Sequence, residues 1–70
     1  MELKEAQQKI ADKIKDRLEE LGISKKQFAG LMKVQPSTVT KWLKGDHNFE
    51  MKTLMEIEMV LGINFFIYGE

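Results

Sequence analysis

Ser24–Gly45, SKKQFAGLMKVQPSTVTKWLKG, holds two short helical patterns with only Lys33, Val34 and Gln35 between them. Ser24 with Gln27 three residues later makes a capping-box pair, and Ile23 before the cap can staple against Phe28. Phe28, Ala29, Leu31 and Met32 form the inner face of the first pattern, which ends near Lys33. Pro36 suits the first position of the following helix, expected over Pro36 to Lys44 and closed by Gly45. Val39, Trp42 and Leu43 fall together at i, i+3 and i+4, while Ser37, Thr40, Lys41 and Lys44 fall on the opposite side. Helices this short, joined by a three-residue turn, cross at a large angle, so the stretch predicts a helix-turn-helix.

The charge of the same stretch is segregated. It carries Lys25, Lys26, Lys33, Lys41 and Lys44 and no acid. Residues 1–23 sum to −1, residues 24–45 to +5 and residues 46–70 to −4, giving the formal zero of the chain. A neutral protein with one basic segment directs that segment at an anion, and its coincidence with two short helices favours nucleic acid. A pI near 6.6 argues for a shaped local site rather than binding by bulk charge.

Outward from this centre, Leu3, Ala6, Ile10, Ile14, Leu18 and Leu21 recur at spacings of three and four, predicting a helix from about Glu2 to Leu21. Gly22 suits the left-handed position after it. Downstream, Asp46, His47 and Asn48 read as a polar loop and Phe49 as the anchor that returns the chain to the core. A fourth helix begins at Glu50 or Thr53 and turns Leu54, Ile57 and Leu61 inward, with Met51 and Val60 flanking, until Gly62 ends it. Ile63–Tyr68 is β-branched and aromatic and reads as a short strand. Trp42 is expected in the core by its spacing with Val39, against a base-stacking role. Gly30 inside a helix is either a close-approach point or a tolerated surface residue.

Seventy residues make a single domain, expected over 1–70. The absence of cysteine removes disulfide and thiol chemistry and fits a cytoplasmic protein. No apolar run reaches the ~20 residues of a membrane span, and Met1–Ala6 is too polar for a signal peptide. His47 is the only histidine, which excludes a zinc site of ordinary composition. Asp12, Asp16, Glu19 and Glu20 interleave with Lys13, Lys15 and Arg17, as on a solvated face. Ser37, Asp46 and His47 lack the setting of a nucleophile elbow. No enzymatic activity, cofactor or metal is expected.

Ser24, Phe28, Ala29, Val34, Val39, Trp42 and Gly45 together resemble the phage-repressor-like XRE helix-turn-helix family, and Ile10 to Gly62 fits the same plan. The Trp-Leu-Lys-Gly and His-Asn-Phe run is similar to small regulators and antitoxins of that family. Two positions depart from it. Lys33 stands where the turn usually has glycine, so a non-glycine residue is expected in left-handed backbone. Pro36 stands where many members carry a DNA-reading glutamine.

The resemblance implies an all-α, four- to five-helix repressor-like domain with a central helix-turn-helix at 24–45 and a C-terminal strand at 63–68. It also implies sequence-specific binding of double-stranded DNA by a dimeric transcriptional regulator. The second motif helix then enters the major groove, bringing Gln35, Ser37, Thr40 and Lys41 to base edges. Ser24, Lys25, Lys26, Lys33 and Lys44 become phosphate contacts. Phe65, Phe66, Ile67 and Tyr68 become a dimer interface, with packing inside one chain as the other option. The alternative function is an antitoxin that binds a toxin protein and represses its own operon.

Overall fold

The computed structural model describes residues 3–65. Its four helices are α1 (Leu3–Leu21), α2 (Lys25–Met32), α3 (Pro36–Trp42) and α4 (Met51–Leu61). α2 packs mainly on α3, and α4 bridges α2 and α1. Phe28, Ile14, Ile57, Leu61 and Val39 are the largest fully buried side chains, so all four helices supply the core.

The face that α1 buries differs from the expected stripe. Gln7, Ala11, Ile14 and Leu18 are buried, whereas Leu3 and Leu21 are exposed. The stripe of large apolar residues is therefore turned part of the way round the helix from the true contact line. Ala11 is fully buried, so the contact line passes through a small residue that the stripe leaves out. Leu3 and Leu21 sit at the two ends of a helix longer than the elements it packs on. Leu31 was also placed inward and is exposed, because α2 offers α3 and α4 the side carrying Phe28, Ala29 and Met32.

α3 stops at Trp42, one half-turn short of the expected Lys44. The Leu43 N–H bonds to Val39 O at 3.1 Å and the Lys44 N–H to Lys41 O at 3.3 Å, so the helix tightens as it ends. Gly45 then takes φ +92 and is buried, and a Cβ there would overlap the Gln8 side chain of α1. Glycine at this point thus serves the turn and the close passage of the loop past α1.

The loop after α3 returns through an aromatic group. Trp42, 4% exposed, has its ring centroid 6.0 Å from Phe28 and 6.0 Å from Phe49. His47 stacks edge-on to Phe49 at 4.7 Å. Phe49 is half-buried against the core, as an anchor should be. Gly30 is exposed with nothing within 4 Å of a Cβ placed on it, which settles it as a surface residue.

The strand expected at 63–68 is absent where the structure describes it. Ile63, Asn64 and Phe65 form no strand, and Phe66, Ile67 and Tyr68 lie outside the described residues. Three backbone groups of Ile63–Phe65 already have partners. Gly62, at φ 67, caps α4, and the Ile63 N–H donates to Glu58 O at 3.2 Å. The Phe65 N–H donates to a Glu58 carboxylate oxygen at 2.8 Å, and Lys13 Nζ donates to Asn64 O. Arg17 Nε adds a bond to Leu61 O at 2.8 Å, and Ile63 and Phe65 pack against the core. Side chains of α1 and α4 thus occupy the Asn64 carbonyl and the Phe65 N–H, two of the groups that a strand ladder would use.

Candidate nucleic-acid interface

The geometry of the motif starts at its cap. Ser24 Oγ accepts the Gln27 N–H at 3.0 Å and Gln27 Oε1 accepts the Ser24 N–H at 2.7 Å, completing the capping box. This fixes the start of α2 and commits the Gln27 side chain. The Ser24 hydroxyl proton stays available to an anion, beside exposed Lys25 and Lys26.

The turn has the strained residue that the sequence implies. Lys33 lies at φ 59 and ψ 41, the only positive-φ residue other than glycine among the described residues. Its N–H bonds to Gly30 O at 3.2 Å and the Val34 N–H to Ala29 O at 3.0 Å, closing the α2 C-terminus. Val34, in the turn between α2 and α3, packs half-buried on the core. Holding a lysine in left-handed backbone costs about 1–2 kcal/mol. Lys33→Gly is accordingly expected to raise stability by about 1 kcal/mol in urea unfolding while weakening duplex binding and lowering the salt slope of a two-copy complex by about 1.8. A more stable variant with an unchanged slope would remove Lys33 from the phosphate contacts.

α3 separates two surfaces. Val39 and Trp42 are buried, followed by buried Leu43, while Ser37, Thr40, Lys41 and Lys44 are exposed on the outward side. Gln35 is the N-cap residue but makes no side-chain cap bond, so its amide is unspent and exposed at the start of the helix. Thr40 differs in chemistry from a free hydroxyl. Its Oγ1 donates to Pro36 O at 3.2 Å, which leaves an acceptor lone pair and the methyl group facing outward. Thr38, half-buried beside Ser37, also borders this face and was not singled out in the sequence; its flanking position on the helix was the available signal.

Ser37, Thr40 and Lys41 thus lie exposed along α3, from its first turn to its last, with Gln35 exposed at its N-cap and Lys44 just beyond its end. Lys25 and Lys26 stand at the start of α2 and Lys33 at its end. All five lysines of the segment are exposed. Asp46 lines a shallow cleft with Lys4, Glu5, Gln8 and Lys44, on the α1 side of the loop. Among the described residues no group of His, Cys, Asp or Glu is arranged to hold a metal ion. None of the helices is long and apolar enough to cross a membrane.

Comparison with known proteins identifies the arrangement. A family described as helix-turn-helix matches residues 14–67, a span that takes in the whole motif, α4 and the C-terminal part of α1. No curated protein and no solved structure matches the chain significantly.

Proposed function

Because this chain belongs to the XRE-like helix-turn-helix family of DNA-binding transcription regulators, we propose that it is a repressor-like regulator that reads a specific duplex sequence as a homodimer in the cytoplasm. The observation that carries this reading is the outward face of α3. It holds an unspent Gln35 amide, Ser37, Thr40 and Lys41, and exposed lysines border it on both sides.

In the major groove, Gln35 pairs with the N6/N7 edge of adenine and Lys41 with guanine O6/N7. Ser37 both donates and accepts. Thr40, with its proton committed to Pro36, accepts from an amino group or sets its methyl against a thymine methyl. Pro36 has no side-chain donor, so the reading shifts to its neighbours Gln35 and Ser37. Ser24, Lys25, Lys26, Lys33 and Lys44 meet phosphates and fix the register without reading sequence. Two half-sites about one helical turn apart call for two copies. The contact between copies is assigned to Phe65, Phe66, Ile67 and Tyr68, in a segment with five apolar residues of six.

The test is base preference. Gln35→Ala or Lys41→Ala is expected to cost roughly 1–3 kcal/mol at the preferred site and to relax preference at particular base pairs, as read by selection from a random duplex pool. Weaker binding with the same preferred sequence would reduce these residues to positioning roles.

A further inference from the structure

The loop after α3 has little backbone bonding of its own. From Gly45 to Glu50 no N–H donates to a backbone carbonyl among the described residues. Side chains therefore place it. Trp42, His47 and Phe49 pack together towards its far end. At its near end the neighbour is Gln8 of α1, whose amide occupies the space that a Gly45 Cβ would take.

Gln8 is itself held. Its Nε2 donates to Asp12 Oδ1 at 2.9 Å, one turn along α1. A carboxylate only accepts, so this bond fixes which end of the amide is which. Oε1 is then the end turned to Gly45. Gly45 is buried while Gln8 and Asp12 are exposed, so the pair covers the loop from outside. The residue before Gly45 is Lys44, past the end of α3, with its N–H on Lys41 O at 3.3 Å. Gln8, Lys44 and Gly45 line one shallow cleft with Lys4, Glu5 and Asp46. Two bases and two acids cancel there, so the cleft itself offers no anion site.

We propose that Gln8, oriented by Asp12, is a positioning residue for DNA binding: it braces Gly45 and so holds Lys44 at the end of the reading helix in place for a phosphate. The inference rests on the DNA reading above and gives α1 a part in it. Gly45, at φ +92 and without a side chain, is the freest joint of the loop once the brace is gone. Lys44 must then be ordered at the moment of binding, which lowers affinity.

A double-mutant cycle on a duplex selected from a random pool tests the proposal. Gln8→Ala, carried by both copies, is expected to weaken binding about fivefold in the parent and less than about twofold in a Lys44→Ala background. Asp12→Ala and Asp12→Asn remove the same charge, but asparagine keeps an acceptor for Gln8. Asp12→Asn is therefore expected to bind several-fold more tightly than Asp12→Ala. Without DNA, the Gly45 amide shift should move in Asp12→Ala and stay near the parent's in Asp12→Asn. Both positions are exposed, so the variants are expected to keep the parent's helical circular dichroism. Equal losses from Gln8→Ala in the two backgrounds, or equal binding by the two Asp12 variants, overturn the positioning role and leave the DNA reading intact. A parent that binds no duplex from the pool overturns the DNA reading, and the role of Gln8 falls with it.

Discussion

Trp42→Ala is expected to destabilise the domain by about 3–5 kcal/mol, a large share of the ~5–15 kcal/mol that holds a small domain folded. The ring is 4% exposed and lies 6.0 Å from Phe28 of α2, 6.0 Å from Phe49 and 6.5 Å from His47 in the loop before α4. It ties α2, α3 and that loop together. Its T-shaped contact with Phe28, at an interplanar angle of 67°, adds about 0.5–1.5 kcal/mol to what burial supplies. Truncation leaves a cavity that two short helices cannot close. Urea unfolding followed by circular dichroism checks this, since the only tryptophan is the residue removed. A Trp42→Ala protein as stable as its parent but unable to bind duplex DNA would revive a stacking role for the ring.

Affinity for duplex DNA is expected to fall by about 10³–10⁵ between roughly 50 and 200 mM salt, as for a protein that neutralises on the order of 6–10 phosphates. On the proposed reading, Lys25, Lys26, Lys33 and Lys44 on each of two copies would supply contacts in that number. The net charge of zero means that this dependence comes from the segment itself and not from the field of the whole molecule. Lys25→Ala combined with Lys44→Ala removes four contacts from a dimer. The slope of log affinity against log salt should then flatten by about 3–4, with binding weakened alike on all sequences. An unchanged slope would place the phosphate contacts elsewhere.

Local chemistry made the motif legible. Ser24 and Gln27 carry their cap in their own side chains, the family resemblance puts Lys33 where the turn usually has glycine, and the spacing of Val39 and Trp42 admits one inner face. All three are observed. What could not be read depends on partners distant in the chain. The buried line of α1 runs through Gln7 and Ala11, which a search for large apolar side chains passes over. The start of the tail is fixed by Lys13, Arg17 and Glu58, and the first two lie 51 and 44 residues from the carbonyls they bind. Nothing in Ile63–Phe65 itself announces those bonds, so its β-branched and aromatic composition pointed to a strand. On the candidate site, exposure of the lysines followed from the pattern, whereas the commitment of the Thr40 hydroxyl to Pro36 needed the helix geometry.

The most direct test of the account is an amide chemical-shift titration of the labelled protein with a duplex selected from a random pool. The largest shifts are expected at Gln35, Ser37, Thr40 and Lys41, with a second group at Ser24–Lys26 and Lys33. Shifts confined to α1 or to the outer face of α4, with α3 unmoved, would contradict a DNA-reading surface on the helix-turn-helix.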